Sequence, residues 1–417
     1  MWENKQVKRF AEEYMPDSTD RVIFLLTGAR QTGKTTLLRK KYDGLPYFNL
    51  DAIEYREQLK SISTFSWSDS VGDAVIDEIQ KEPGLIDKIK YAWDGGQIKF
   101  TAMSGSAQVM LLRQTGETLA GRVFIIELFP LLLSELLAGS NNFTAHPLGR
   151  LVSGEYTDGV IGEMKSVLLG KGWEDRIRSE DYLIKWGGMP SLLHLEERKR
   201  SEWLKDYTHT YLERDLGDLA RINDLMPFKR FQQLAALRST GLISYSDLAR
   251  DAGLGIETAR RYLEYLRLSY QAFLVQPYYK NLTSSLVKTP KLYWTDNGLL
   301  RQLSGLGFTI SSGEIYENFI ASEILKYLRT SRSDVNLSFY RTRSGMEVDF
   351  CMEINGKLLA IEAKNRTSVT NSDFTSLKRL QTASGQNWLG GLVLYRGNKI
   401  MKIEDTIWAM PSCRFFG

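Results

Sequence analysis

Residues 28–35 read Gly-Ala-Arg-Gln-Thr-Gly-Lys-Thr, the spacing G-x-x-x-x-G-K-[ST] that wraps a backbone around phosphates. Gly28 and Gly33 let the chain turn tightly and approach a polyphosphate closely. Ala29, Arg30, Gln31 and Thr32 between them supply backbone N–H groups, and a helix running on through Thr36 directs its positive end at the same point. Lys34 has the reach to pair with β and γ phosphates, and the Thr35 hydroxyl is a ligand for Mg²⁺. A second apolar run, Ala74-Val75-Ile76, ends in Asp77-Glu78, a Walker B pattern. Asp77 would hold Mg²⁺ through water, opposite Thr35, and Glu78 would polarise the attacking water as general base. Ile98 to Met103 runs into Ser104-Gly105-Ser106, where Ser104 or Ser106 is placed to touch a γ phosphate; a plain Ser-Gly turn fits the same residues. Arg122, after Gly121, would stabilise transition-state charge, in its own chain or from a neighbouring subunit. A surface arginine is the alternative.

A second set of carboxylates lies near the C-terminus. Glu347 to Ile354 alternates polar and apolar, Asn355-Gly356 is a two-residue turn signal of the I′ type, and Lys357 to Lys364 returns. That turn sets Ile354 opposite Lys357, Phe350 opposite Ile361, Asp349 opposite Glu362 and Glu347 opposite Lys364. One face then carries Val348, Phe350, Met352, Leu359 and Ile361, and the other gathers Glu347, Asp349, Glu362 and Lys364. Opposed carboxylates destabilise a sheet. A divalent metal on Asp349 and Glu362, completed by Glu317 from an upstream helix, would offset the repulsion. Lys364 would then orient or deprotonate a water. The alternative is a set of charges that pair with one another, Glu347 with Lys364.

Each site needs elements to hold it. Arg21 to Leu26 is an apolar run of strand length, and Thr36 to Lys40 continues as a helix, so the phosphate loop sits between strand and helix. Residues 141–160 are polar and read as linker. Residues 175–225 have helical spacing interrupted at Trp186-Gly187-Gly188-Met189-Pro190, and Tyr211 to Leu216, with Glu213, Arg214 and Asp215, falls on a helix. From 228 to 279 three short helices follow, Phe228 to Arg238, Tyr245 to Asp251 and one opening at Gly255, with Phe273 to Tyr279 as a possible wing. Thr258, Arg260 and Arg261 fall where groove-facing residues would sit, while Glu257 and Glu264 dilute the charge.

The 417 residues suffice for several domains, and 43% hydrophobic with 25% charged residues is ordinary globular composition. A net charge of +4 permits a nucleic-acid partner without implying one. Cys351 and Cys413 form no metal or disulfide spacing, which suits a reducing cytoplasm, and His146, His194 and His209 show no ligand spacing. The most apolar stretch, Val123 to Leu137, contains Glu127, Pro130 and Glu135 and is too short and charged to span a bilayer, so no membrane partner is expected.

Residues 1–140 resemble the AAA-type P-loop ATPases of the archaeal-ATPase-like group. The phosphate loop, Asn49-Leu50-Asp51, Asp77-Glu78-Ile79-Gln80, Ser104-Gly105-Ser106 and Gly121-Arg122 followed by Leu128-Phe129-Pro130-Leu131 carry that resemblance. Glu317, Asp349 and Glu362-x-Lys364 resemble the PD-(D/E)XK nuclease pattern. Residues 200–410, through Glu213-Arg214-Asp215, Lys288 to Leu300 and the Glu347 string, resemble the uncharacterised C-terminal domain that accompanies these ATPases in prokaryotes. The expected architecture is therefore multidomain α/β. It comprises a P-loop parallel-sheet core (1–150), a helical lid (151–225), a winged helix-turn-helix (226–300) and a restriction-endonuclease-like domain (301–417). The expected function is Mg²⁺-dependent ATP hydrolysis driving a switch that acts on DNA, in a possible homo-oligomer. The rivals are an ATP-gated DNA nuclease and a nucleotide-dependent binding protein with an inactive nuclease fold. A small-molecule kinase is disfavoured because Glu78 follows Asp77.

Overall fold

The computed structural model describes residues 7–105, 121–137, 143–220, 225–278, 288–308 and 312–417, and of 210–220 the backbone only. Ser106, Ala120, Tyr279 and the side chains of Glu213, Arg214 and Asp215 lie outside the described residues.

The first sheet holds β1 (Val22–Thr27), β2 (Tyr47–Asn49), β3 (Ala74–Asp77), β4 (Phe100–Gly105) and β5 (Val123–Glu127) in the order β2-β3-β4-β1-β5. Every pairing is parallel. Alternate residues of β1 enter different cores: Ile23 and Leu25 pack with Ile76, Ile89 and Met103, whereas Phe24 and Leu26 pack with Leu37, Leu38 and Ile126. Burial on both faces is why these strands read as continuous apolar runs rather than alternating ones. Helix α1 (Lys34–Lys41) follows β1, and helix α2 (Leu85–Asp94) precedes β4. Because β4 separates β1 from β3, a crevice opens above the strand ends between the phosphate loop and Asp77.

The second sheet has the order β12-β13-β11-β10-β9-β8-β6-β7, where β6 is Ala272–Pro277 and β7 is Lys291–Trp294. Its centre is β8 (Leu337–Arg341), β9 (Glu347–Ile354), β10 (Lys357–Lys364) and β11 (Trp388–Tyr395), with β12 (Met401–Glu404) and β13 (Ile407–Pro411) on one side. Asn355 (φ 49°) and Gly356 (φ 79°) make the expected hairpin turn, and the register runs from Ile354↔Lys357 to Phe350↔Ile361 as expected. It ends there. The N–H of Ala363 donates instead to Asp349 Oδ2 at 2.9 Å, and Val348 enters a different core from Phe350, Met352, Leu359 and Ile361. The expected single apolar face is therefore broken at Val348. A register shift in the β8–β9 pairing, between Ser338 and Tyr340, accompanies the change of face.

Three helices, α3 (Met226–Leu237), α4 (Tyr245–Ala252) and α5 (Ile256–Leu268), precede the hairpin of β6 (Ala272–Pro277) and β7 (Lys291–Trp294). The hairpin is not a free wing. Gln276 and Pro277 pair parallel with Ser338 and Phe339 of β8, which joins both strands to the second sheet. A boundary at 300 is thus crossed by one continuous sheet, and one core reaches from Phe10 through Leu183, Phe231 and Trp294 to Phe415. Helix α6 (Gly313–Thr330) covers β10, and helix α7 (Thr375–Ser384) packs on the opposite core with Leu358 and Val393.

Candidate functional site

The phosphate loop is shaped by positions that admit few residues. Gly28 has φ 152°, and a Cβ there would lie 2.1 Å from the carbonyl oxygen of Leu128. Gly33 has φ 98°, and Gln31 takes the left-handed conformation at φ 60°. The Thr32 hydroxyl donates to Ala29 O at 2.9 Å. The buried Lys34 ammonium donates to Gly28 O at 3.0 Å and Ala29 O at 2.8 Å, so it sits inside the curve of the loop.

Asp77, fully buried at the end of β3, is the hub of the crevice. Its Oδ2 accepts the Thr35 hydroxyl at 2.7 Å and also the Tyr47 hydroxyl. Its Oδ1 accepts the Ser104 hydroxyl and the N–H of Glu78 at 3.1 Å. Glu78 holds the left-handed conformation (φ 59°, ψ 43°), which turns it out of the strand, and Gln80 donates to its carboxylate. The Asp-Glu-Ile-Gln string therefore presents a carboxylate and the amide that orients it. This donor set fits Mg²⁺ with a triphosphate: a loop whose Gly28 admits no Cβ, a buried ammonium, and a threonine hydroxyl bonded to a buried carboxylate.

Arg9 carries no signal in the local sequence pattern. Its guanidinium donates to Thr32 O at 2.5 Å, to Phe129 O at 2.6 Å and to Glu135 Oε1 at 3.1 Å. Glu135 in turn accepts the N–H groups of Phe10 at 2.7 Å and Leu132 at 2.9 Å. Tyr47 was also missed. Its position two residues before Asn49 on β2 lets a long side chain reach Asp77, since Asn49 pairs with Asp77. Burial and then the Asp77 carboxylate push the Tyr47 phenol above its ordinary pKa, and the Arg39 guanidinium lies 4.2 Å from its ring centre. Two further tyrosines come from distant modules: Tyr207 OH donates to Arg30 O at 3.3 Å, and Tyr270 OH donates to Thr27 Oγ1 at 3.2 Å. Beside Gly33, Thr36 and Leu37 lies a cleft of about 280 Å³ walled by Val7, Leu131 and His194.

Arg122 is not at this crevice. It precedes β5 at the level of Val22, while the phosphate loop begins after Thr27. Five residues of strand, about 16 Å, separate the two levels. Its guanidinium pairs with Asp94 at 2.7 Å. The structure does not bring it to the phosphate loop of its own chain, and its pairing with Asp94 fits the surface-arginine alternative.

The C-terminal residues do gather, but with different partners. Lys364 pairs with Glu362 at 2.6 Å and lies 3.8 Å from Asp349. Glu347 pairs with Lys291 at 2.6 Å and Arg341 at 3.1 Å, not with Lys364. Glu317 accepts from Lys291 at 3.1 Å and from Tyr293 OH at 2.7 Å. Burial, then the Asp349 charge, raise Glu317 to about 7 and Glu362 well above the carboxylate range. Among the described residues no three His, Cys, Asp or Glu side chains converge on a point that could hold a metal ion. The expected metal centre of Glu317, Asp349 and Glu362 is not assembled. The repulsion that a metal was invoked to offset is met by lysines, one of them arriving from β7.

On α5 the exposed arginines alternate with acids. Arg260 pairs with Glu257 at 3.5 Å and lies over Tyr245, and Arg267 pairs with Glu264 at 2.7 Å. Arg261 is exposed beside them, and Thr258 is half-buried. His146 is buried and caps a helix by accepting from Gly149 N at 3.3 Å. Burial raises both cysteine thiols, Cys351 and Cys413. No described helix is long and apolar enough to cross a membrane.

Comparison with known proteins divides the chain in three. Residues 20–137 match the AAA domain family, residues 178–309 a domain of unknown function, DUF8612, and residues 312–415 a second one, DUF4143. The uncharacterized protein Rv2008c of Mycobacterium tuberculosis is 26% identical over 94% of this chain and 80% of its own length. The uncharacterized protein MJ1544 of Methanocaldococcus jannaschii is 25% identical over 79% of this chain and 71% of its own. Among solved structures, the Walker-type ATPase PABY2304 of Pyrococcus abyssi aligns at 15% identity and a TM-score of 0.39, over 70% of this chain and 94% of that one. The N-terminal region is an AAA-type P-loop ATPase domain on a parallel sheet.

Proposed function

We propose that the chain is a Mg²⁺-dependent ATP hydrolase whose nucleotide state switches the arrangement of the modules around it. The observation that carries this is the Asp77 hub: one buried carboxylate joins Thr35 of the phosphate loop, Ser104 of β4 and Glu78 through hydrogen bonds within a single crevice. Lys34 and the loop N–H groups would bind the phosphates, and Thr35 with Asp77 would hold Mg²⁺, which neutralises phosphate charge when bound. Glu78, oriented by Gln80, would take the proton of the attacking water. Ser104 fixes the rotamer of Asp77 and sits at the strand tip. The cleft beside Gly33 and Thr36, with apolar walls and His194, would receive the base.

The switch follows from who touches the loop. Arg9 holds Thr32, Tyr207 holds Arg30, and Tyr270 holds the threonine just before Gly28. Phosphate binding that moves the loop therefore pulls on the N-terminal segment, the long helix Glu197–Ala220 and the turn after α5 together. DNA contact through Arg260 and Arg261 gains little from the structure, because α5 offers a polyanion an alternating surface rather than a basic one. Nucleotide binding with a fluorescent ATP analogue tests the first half. The parent should bind and Lys34→Ala should not; equal binding by both would remove the phosphate loop from the account.

A further inference from the structure

We propose that Lys291 is the resident cation of the C-terminal carboxylate cluster, its ammonium standing where a divalent metal would otherwise be drawn. The residues around it bear this out one by one. Lys291 opens β7, and its side chain is only 4% exposed. Its ammonium lies 3.1 Å from Glu317 Oε1 and 2.6 Å from Glu347 Oε1, on carboxylates from α6 and β9. It also lies 5.5 Å from the centre of the Phe339 ring, which closes one side. Tyr293, two residues along the same strand and so on the same face, donates to the Glu317 oxygen that Lys291 also binds.

The remaining carboxylates are committed too. Asp349 spends Oδ2 on the N–H of Ala363, and Glu362 accepts from Lys364. A divalent cation of the Mg²⁺ or Mn²⁺ kind needs several oxygens free to close on it at about 2.0–2.2 Å. Here Glu317 Oε1, both oxygens of Glu347, Asp349 Oδ2 and Glu362 Oε2 face N–H or O–H donors, and the four carboxylates stand against Lys291, Lys364 and Arg341. The cluster thus works as an ionic latch. It ties the β6–β7 hairpin to α6 and β9, and its own cations sit against the charge that would draw a divalent metal.

Lys291→Met keeps the length of the stem and removes the cation. Glu317, Glu347 and Asp349 are then left facing one another and should recruit a divalent ion. The test is Mn²⁺ binding to the full chain without nucleotide, read by electron paramagnetic resonance of free Mn²⁺. Every protein carries Asp77→Asn, so that the N-terminal crevice contributes nothing. The parent should show no Mn²⁺ uptake that depends on Asp349. Lys291→Met should gain a site, and adding Asp349→Asn should abolish it. Mn²⁺ bound by the parent and lost on Asp349→Asn overturns the proposal. So does a folded Lys291→Met, judged by circular dichroism, that binds none. If Lys291→Met does not fold, Lys291→Gln carries the same expectation, and the parent still decides against or for the latch by itself. None of these outcomes depends on whether the chain hydrolyses ATP.

Discussion

Replacing Arg9 by Met should weaken both the fold and nucleotide binding, because one guanidinium serves three partners. The Arg9–Glu135 pair is almost wholly enclosed, with side chains 9% and 2% exposed. Breaking a buried pair by removing one partner costs about 3–5 kcal/mol, because the other charge is left uncompensated. Glu135 keeps two N–H donors, from Phe10 and Leu132, which sets the cost near the lower end. Thr32 O and Phe129 O lose a donor each, at about 1 kcal/mol apiece. A loss of about 4–5 kcal/mol is a large share of a typical stability of about 5–15 kcal/mol. Adding Glu135→Gln removes the stranded charge and should recover about 2 kcal/mol. The assay is urea unfolding followed by intrinsic fluorescence for the parent, both single variants and the pair, with ATP affinity measured alongside. Arg9→Met with the parent's unfolding midpoint would refute the reasoning, as would a double variant no more stable than Arg9→Met.

Gly28→Ala should abolish ATP binding and lower stability, since its Cβ would meet Leu128 O at 2.1 Å; calorimetric titration against the parent checks it. Tyr47→Phe should raise the Mg²⁺ concentration needed for half-maximal turnover by a few-fold, leaving Mg²⁺-free nucleotide binding unchanged, because one hydrogen bond worth about 1 kcal/mol to Asp77 is lost. His146 is held near 4 by burial. Its folded pKa lies below the ordinary value of about 6.5, so the unfolded chain takes up its proton first. Stability should therefore fall as pH drops from about 6.5 towards 4, by ~3 kcal/mol at most, and His146→Gln should flatten that part of a stability–pH curve.

What the sequence carries and what it does not divide along contact range. The phosphate loop, the β3 end at Asp77-Glu78 and the Asn355-Gly356 turn are local: each is fixed by residues a few positions apart whose backbone demands are specific. The hairpin register followed from the turn alone as far as Phe350↔Ile361. It failed at Asp349 because a side chain there takes an N–H that a backbone carbonyl would otherwise accept. Arg9 and Glu135 are 126 positions apart, and no periodicity links them. Lys291 carries no local signal of its role, because nothing nearby in the sequence says that β7 will lie across α6 and β9. The wing likewise looked independent until Gln276 and Pro277 paired with β8, a parallel contact that spans more than sixty residues of chain. Arg122 was singled out by its glycine neighbour, but strand direction places it at the far end of β5 from the loop.

ATP turnover in the Asp77 crevice is proposed to run with Glu78 as base. Phosphate release under single-turnover conditions, parent against Glu78→Gln, tests it most directly, with bound nucleotide measured in the same samples. Glu78→Gln should bind ATP as tightly as the parent and release phosphate at least ~100-fold more slowly, the scale of a lost general base. Equal rates of phosphate release from both proteins would contradict it.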